Sequence, residues 1–261
     1  MIELADDLGH LACTVTGEGA PVVLLHAGVA DHHMWDPVVP ALAARHTVIQ
    51  YDLRGFGQSA PPTGPFSDTD DLRRLLDRLG HRSVRLVGSS WGGRVALDFT
   101  LAHPARVHSL ALLAAPWPGY EWSADMHAYD EAETAALAAG DLDTAVDVNL
   151  DMWLRGPARA WEDVDAGLAE RLRGPIRTSL VHQDARERYS EGATGGDLAT
   201  IAVPTLVGIG RLDVPDFQDI ARRYVAGIPG ATLVEFATAA HLVPLDAPAE
   251  LAAALGPFLA R

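Results

Sequence analysis

The stretch that decides the fold is Leu86–Gly93, "LVGSSWGG", in which a short apolar run ends in two serines, a tryptophan and two glycines. Residues 88–92 match the pattern Gly-x-Ser-x-Gly, with Ser90 at the centre. A serine exposed on a sharp strand-to-helix turn needs neighbours without bulky side chains two positions away. The pattern alone also fits an ordinary turn whose serine caps a helix. The predicted strand before it and helix after it favour a nucleophile.

Short apolar runs recur along the chain, and helical patterns lie between them. Helices are predicted near 34–44, 68–79 and 92–103, with a last helix at 247–259. Continuous apolar strands that alternate with helices indicate a mostly parallel sheet covered on both faces. The predicted strands are 21–27, 46–52, 84–89, 108–115, 204–210 and 231–236.

Residues 117–197 interrupt this alternation, because they contain no β-like run and are rich in Ala, Asp, Glu and Arg. Two helices separated at Gly140–Asp141 are predicted there, followed by a third in "DVDAGLAERLRG". A helical insert between two parallel strands is suited to cover the carboxyl edge of the sheet, where ligands bind. We therefore expect an α/β core of residues 1–116 and 198–261 and a helical cap of residues 117–197.

The composition indicates a globular protein. The 261 residues are 48% hydrophobic and 21% charged, and the net charge of −15 argues against nucleic acid and anionic membrane surfaces as partners. No apolar stretch approaches the roughly 18 residues that span a bilayer. The acidic start "MIELADDLGH" is unlike a signal peptide, so a cytoplasmic location is expected.

The residue types present limit the chemistry. All 20 basic residues are arginine, which excludes Schiff-base lysines, pyridoxal phosphate attachment and a phosphate-binding-loop lysine. Cys13 is the single cysteine, so neither an internal disulfide nor a cysteine zinc cluster can form, and it is predicted to pack in an early strand. His32 and His33 lack metal-ligand spacing to a carboxylate and are expected at a solvated helix start. Neither a metal nor a cofactor is predicted.

A serine nucleophile needs a base and an orienting carboxylate. His241 follows the last predicted strand in "ATAAHLVPLDAP", and Asp213 follows the strand before it in "GIGRLDVPDF". Both loops lie at the sheet edge where Ser90 should emerge. The chain order Ser90, Asp213, His241 is that of α/β-hydrolases and not of the other two common serine-hydrolase folds. Glu121 is a rival acid that ranks lower, because it lies well inside the insert.

An oxyanion hole should complete the site. The backbone N–H of Trp91, directly after the serine, is one expected donor. The loop after the strand "VVLLH" should supply the other, for which Gly28 is favoured and Val29 is the close alternative. His26 in the same loop is expected to be buried and structural. Val29 and Trp117 are expected to contact the substrate beside Trp91, whereas most aromatic residues of the insert are expected to pack its helices.

These stretches resemble the α/β-hydrolase superfamily, in its serine-nucleophile branch, over nearly the whole chain. The resemblance is carried by "LLHAGVADHHMWDPVVPAL", "YDLRGFGQSAPP", "VGSSWGGRVALDFTLAHPARV" and the pair "GRLDVPDF" and "AAHLVPLDAP". It implies an eight-stranded sheet with an antiparallel second strand and a helical cap after the sixth strand. It also implies a nucleophile at Ser90, an acid at Asp213 and a base at His241.

The sequence departs from the family pattern at two positions. The usual His-Gly of the oxyanion loop reads His-Ala-Gly at 26–28, and Ala240 stands where a glycine often precedes the histidine. Trp91 after the nucleophile resembles haloalkane dehalogenases, but those enzymes need a carboxylate nucleophile. The serine at position 90 therefore argues against dehalogenation.

The sequence predicts a cofactor-free serine hydrolase that cleaves a small, apolar ester or lactone through an acyl-enzyme. The same fold and triad also serve C–C bond hydrolysis, perhydrolysis, amide hydrolysis and non-hydrolytic cyclisation in natural-product pathways. A catalytically silent small-molecule-binding protein is the alternative from another class, although no member of the triad is missing. The expected partner is a small-molecule substrate, with no nucleic acid and no membrane, and a homodimer is left open.

Overall fold

One sheet forms the centre of the protein in the computed structural model, which describes residues 2–4, 11–190 and 196–261. Its central strands are the predicted apolar runs, and they are buried on both faces, as a parallel sheet between helices requires. Within the described residues, the strands are β1 (Ile2–Leu4), β2 (Leu11–Thr16), β3 (Ala20–Leu25), β4 (His46–Tyr51), β5 (Val84–Ser89), β6 (Val107–Leu113), β7 (Thr205–Gly210) and β8 (Thr232–Phe236).

The strand order brings the site-bearing ends together. In the described part of the chain it is β1-β2-β4-β3-β5-β6-β7-β8. β2 is antiparallel to both neighbours, and every pair from β4 to β8 is parallel. The carboxyl ends of β3, β5, β7 and β8 therefore lie at one edge. The predicted α/β fold class, with a mostly parallel sheet, is confirmed.

Helices cover both faces of the sheet. Alternate residues of β3 show this directly, because Val23 and Leu25 belong to one buried cluster and Val22 and Leu24 to another. Each buried aliphatic side chain contributes about 1.5–3 kcal/mol to stability. The helices around the sheet are α1 (Val39–Ala43), α2 (Asp68–Arg78), α3 (Trp91–Ala102), α8 (Pro215–Gly227), α9 (Val243–Asp246) and α10 (Pro248–Leu259).

The insert between β6 and β7 is helical, as expected. Asp141 caps its second helix, since the Asp141 carboxylate accepts a hydrogen bond from the backbone N–H of Thr144 at 3.0 Å. Gly140 adopts a positive φ of 72° just before it, so the predicted break is present. The insert helices are α4 (Ala124–Ala138), α5 (Leu142–Asn149), α6 (Ala166–Val181) and α7 (Gln183–Tyr189). The division into core and cap domains stays a prediction.

Two local expectations need correction. The helix predicted at 34–44 is a short 3-10 turn, His32–Trp35, followed by α1. Pro37 cannot donate a backbone hydrogen bond, so the first helical turn ends before it, whereas Pro40 is accommodated in the first turn of α1, where no such bond is needed. His32 is buried rather than solvated, and its Nδ1–H donates to Asp52 Oδ1 at 2.8 Å, while His33 is exposed.

Two kinds of feature are absent from the described residues. Among the described residues, no cluster of three or more His, Cys, Asp or Glu residues could hold a metal ion. No helix of the described ranges combines the length and apolar character needed to cross a membrane. Cys13 is buried in β2, as predicted.

Candidate active site

Ser90 lies on a strained turn between β5 and α3. Its φ of 51° and ψ of −118° are unusual for a residue with a side chain and cost about 1–3 kcal/mol. The turn requires the flanking glycines. A Cβ on Gly88 would lie 2.2 Å from the Gly92 carbonyl oxygen, and one on Gly92 would lie 2.3 Å from the Leu25 carbonyl oxygen. The spacing Gly-x-Ser-x-Gly is therefore a packing requirement of this turn.

Hydrogen bonds to neighbouring strands hold the turn. The Ser90 N–H donates to the Leu113 carbonyl at 2.7 Å, and the Gly92 N–H donates to the His26 carbonyl at 3.0 Å. The N–H of Trp91, at the first position of α3, has no acceptor among the described residues. It is one of the free donors at a helix N-terminus, where the helix dipole also favours negative charge.

The structure brings the three predicted chemical groups together. The distance between Ser90 Oγ and His241 Nε2 is 2.8 Å, and His241 Nδ1 lies 3.0 and 3.1 Å from the two carboxylate oxygens of Asp213. His241 and Asp213 are buried, with 1% and 2% of their surface exposed. The Val214 N–H donates to Asp213 Oδ1 at 2.7 Å and orients the carboxylate. Glu121 is exposed on the surface and makes no hydrogen bond to His241.

The loop after β3 is anchored by His26. The Leu53 N–H donates to His26 Nε2 at 3.0 Å, and His26 Nδ1–H donates to the Ala27 carbonyl at 2.8 Å. Complete burial lowers the pKa of His26, which keeps the ring neutral with its proton on Nδ1. His26 is thus a buried structural residue, and it orients the peptide that carries the Gly28 N–H.

A cavity of about 300 Å³ opens above Ser90 and His241. This volume is at the lower end of the range for small-molecule sites. The cavity wall is mostly aromatic and aliphatic, with a few polar side chains. It is lined by Gly28, Val29, Ser90, Trp91, Pro116, Trp122, Met126, Tyr129, Glu133, Asn149, Trp153, Ile176, Ser179, Leu180, Gln183, Arg186, Phe217 and His241.

A second cavity of about 460 Å³ adjoins the first, and Gly28, Trp91, Gln183 and Arg186 line both. Asp68 lies in the second cavity, where the indole Nε1–H of Trp91 donates to its carboxylate at 3.3 Å. Burial, together with the negative charge of the nearby Asp71, raises the pKa of Asp68 to about 6. The second cavity therefore contains a carboxyl group that titrates near neutral pH.

Of the residues expected to contact the substrate, two line the cavity above Ser90 and one lines a different cavity. Val29 and Trp91 line the cavity above Ser90. Trp117 lines a separate cavity instead, where its ring packs 5.1 Å from that of Tyr224. The chain turns after Pro116, so the side chain that follows it faces α8 rather than the substrate cavity. The expectation that Trp117 contacts substrate is corrected accordingly.

The insert and α8 supply cavity residues that the sequence analysis did not single out. Trp153 and Phe217 flank the His241 ring, with ring centroids 4.6 and 4.5 Å away. Trp153 is one of several aromatic residues in the insert, and nothing in their spacing tells which of them face the site. The sequence does not indicate that Phe217 faces the site, because an apolar residue early in α8 is equally consistent with packing in the core.

The chain belongs to the alpha/beta hydrolase fold family, whose model matches residues 20–248. The provisionally named carbamate hydrolase RutD of Azorhizobium caulinodans is 29% identical over 242 residues, covering 87% of this chain and 86% of that protein. A hydrolase structure from Pseudomonas aeruginosa has 30% identity and a TM-score of 0.82, covering 100% of this chain and 98% of that one. The enol-lactonase structure from Burkholderia xenovorans shares the fold at 22% identity, with a TM-score of 0.83 and full coverage of both chains. The protein is an α/β hydrolase enzyme.

Proposed function

We propose that the protein is a cofactor-free serine hydrolase that cleaves a small, largely apolar ester or lactone through an acyl-enzyme. One observation carries the proposal. The Ser90 hydroxyl, the His241 imidazole and the Asp213 carboxylate form a continuous chain of contacts of 2.8 to 3.1 Å at the wall of a small aromatic cavity. This is the geometry of an activated nucleophile, a general base and an orienting acid.

In the acylation step, Ser90 Oγ attacks the carbonyl carbon of the substrate while His241 Nε2 takes its proton. Asp213 accepts the Nδ1–H of His241, which fixes the ring tautomer and stabilises the imidazolium. The tetrahedral oxyanion accepts hydrogen bonds from the N–H groups of Trp91 and Gly28. In other hydrolases the loss of one such donor costs about 2.7–4 kcal/mol of transition-state stabilisation.

Gly28 is the proposed second donor in preference to Val29. In a trans peptide, the carbonyl of one residue and the N–H of the next point in opposite directions. The Ala27 carbonyl points to the buried His26 ring, so the Gly28 N–H points away from the core and toward the cavity. The Gly28 carbonyl accepts a hydrogen bond at 2.8 Å from Ser179 on the cavity wall, so the Val29 N–H points away from that wall.

The second half of the reaction regenerates the enzyme. The imidazolium of His241 gives its proton to the leaving alkoxide as the bond between the acyl carbon and that oxygen breaks. His241 Nε2 then takes a proton from a water whose oxygen attacks the acyl carbon. Ser90 Oγ leaves and recovers that proton, and the acid product is released. No step in this sequence needs a metal ion or a cofactor.

Intact-mass measurement after exposure to a fluorophosphonate tests the proposal. We expect one adduct on the wild type and none on Ser90→Ala. A panel of esters and lactones of increasing size should then show turnover only for small acyl and alcohol groups. Absence of an adduct on folded wild type would contradict the proposal. A small molecule bound tightly and returned unchanged would favour a binding protein.

Two further assays, with a vinylogous 1,5-diketone and with hydrogen peroxide, separate the other chemistries of this fold. Turnover of a vinylogous 1,5-diketone without ester turnover would favour C–C bond hydrolysis, and peracid formation would favour perhydrolysis. The helical insert as a cap, a small-molecule partner and a cytoplasmic location are part of the same proposal. They rest on the position of the insert beside the cavity and on the composition of the chain.

A further inference from the structure

The cavity above Ser90 contains a carboxylate that the proposed acyl transfer does not use. Glu133 lies on α4 and is only 9% exposed, yet it lines the same cavity as Ser90 and His241. Glutamate is almost never buried without partners, because removing a carboxylate from water is costly. The hydrogen-bond partners of each Glu133 oxygen therefore indicate the role of this carboxylate.

One oxygen of Glu133 is held by the insert itself. Glu133 Oε2 accepts a hydrogen bond from Asn149 Nδ2. It also lies 2.9 Å from the Tyr129 hydroxyl, whose one proton is shared between Glu133 Oε2 and Asn149 Oδ1, the latter at 2.8 Å. Asn149 Nδ2 also donates to the Ala145 carbonyl at 3.0 Å, and the Trp153 indole N–H donates to the Tyr129 hydroxyl at 2.9 Å. The orientation of the carboxylate is thus fixed from one side by side chains of α4, α5 and the turn after α5.

The other oxygen is left open. Glu133 Oε1 takes part in no hydrogen bond and no ion pair with any described residue, and Glu133 lines the cavity. Arg186, which also lines the cavity, makes its hydrogen bonds to other groups. The guanidinium of Arg186 donates to the carbonyls of Gly55 and Ser179 and to Ser179 Oγ.

We propose that Glu133 Oε1 binds a hydrogen-bond donor of the substrate, a protonated amine or a hydroxyl, and so determines specificity. The inference rests on the proposed serine hydrolase and adds to it one polar group on an otherwise apolar substrate. Because Ser90 and Glu133 line one cavity of about 300 Å³, that group is only a few bonds from the reacting carbonyl. A buried charged acceptor discriminates against analogues that leave it unpaired.

Three esters of equal chain length test this, ending in methyl, hydroxyl or ammonium on the same side of the carbonyl. We expect the wild type to favour the hydroxyl or the ammonium ester over the methyl ester by about tenfold or more in kcat/KM. Glu133→Gln keeps the shape and can keep an oxygen for Tyr129 and Asn149, but it turns an amide NH₂ toward the cavity. In this variant kcat/KM for the hydroxyl and ammonium esters, divided by kcat/KM for the methyl ester, should fall to about one, so the preference should disappear.

Glu131→Gln is the matched control, since Glu131 is exposed on the same helix. It should retain the preference. Equal turnover of all three esters by the wild type would overturn the proposal. So would an equal loss for all three in Glu133→Gln, which would mark a purely structural role. Comparison of kcat/KM for the hydroxyl ester with kcat/KM for the ammonium ester shows whether Glu133 prefers a neutral or a charged donor.

Fluorophosphonate labelling separates this proposal from the hydrolase itself. If Ser90 is labelled and the enzyme shows no preference for esters with a hydrogen-bond donor, the proposed role of Glu133 is wrong and the serine hydrolase proposal stands. If Ser90 is not labelled, the hydrolase proposal is wrong, and calorimetry with a short primary amine, the matching alcohol and the alkane decides the role of Glu133. Binding that Glu133→Gln leaves unchanged, or no binding of either the amine or the alcohol, would overturn that role.

Discussion

The indole ring of Trp153 lies 4.6 Å from the imidazole ring of His241, at an interplanar angle of 45°. Trp153 belongs to the insert, whereas His241 follows the last strand of the sheet. The hydrogen bond from the Trp153 indole to Tyr129 holds the ring in this orientation. The insert therefore contacts the proposed base directly, and it should affect the rate of reaction as well as the choice of substrate.

Replacing Trp153 tests this contact. Aromatic pairs contribute about 0.5–1.5 kcal/mol beyond the area they bury, so Trp153→Leu should lower kcat by about two- to tenfold. Trp153→Phe keeps a ring beside His241 and should retain more activity than Trp153→Leu. Steady-state kinetics with one active ester, together with the melting temperature of each variant, would check it. Equal kcat values for the two variants and the wild type would show that the ring contact has no catalytic effect.

Asp213→Asn tests the identity of the acid. The amide no longer holds the imidazole in its productive tautomer, and in a well-characterised triad the same change lowers kcat about 10⁴-fold. We expect a comparable loss without unfolding, as measured by kcat and by circular dichroism. Glu121→Gln is the control and should leave kcat unchanged. Near-normal turnover by Asp213→Asn, with loss in Glu121→Gln, would transfer the role to Glu121.

Gly92→Ala tests the packing of the turn. The added Cβ would lie 2.3 Å from the Leu25 carbonyl oxygen, so the backbone must shift. Overpacking of this kind typically lowers the free energy of unfolding by about 1–3 kcal/mol. Fluorophosphonate labelling of Ser90 should slow as well. Gly64→Ala is the matched control, because no atom lies within 4 Å of its Cβ position, and it should affect neither measurement.

Asp68→Asn should stabilise the protein in a defined pH range. The pKa of Asp68 is raised from 3.8 to about 6, mainly by burial and then by Asp71, so the folded state binds the proton more tightly than the unfolded state. The free energy of unfolding therefore decreases as the pH rises from 3.8 to about 6. Above that range the ionised Asp68 destabilises the folded state by a constant amount. Asparagine is neutral at every pH and can still accept from the Trp91 indole.

Denaturant unfolding of wild type and Asp68→Asn at pH 3.5 and pH 8 measures this effect. The two proteins should have similar free energies of unfolding at the lower pH, and the variant should be more stable at the higher one. Asp125→Asn, at an exposed position of α4, serves as the control. A stability difference between wild type and Asp68→Asn that is the same at both pH values would contradict the titration of Asp68.

Much of the fold could be predicted because its requirements are local. A parallel strand buried on both faces must be apolar throughout, and β5 coincides with its predicted range of 84–89. Helix caps are equally local, as Ser67 illustrates by accepting a hydrogen bond from the Asp70 N–H at the start of α2. The helix predicted at 34–44 is instead interrupted, because Pro37 within it has no backbone N–H to continue the helical hydrogen bonds.

By itself, the sequence determined the turn at Ser90 and the edge of the sheet to which Asp213 and His241 belong. Glycines at 88 and 92 leave room for that turn, since a Cβ at either position would collide with a backbone oxygen, and the carboxyl ends of parallel strands must share an edge. Only the tertiary structure decided that Trp153 and Glu133, rather than Trp117, face the cavity. Those positions depend on how the insert packs across the sheet. That packing is the sum of many weak, long-range contacts, and no local pattern encodes it.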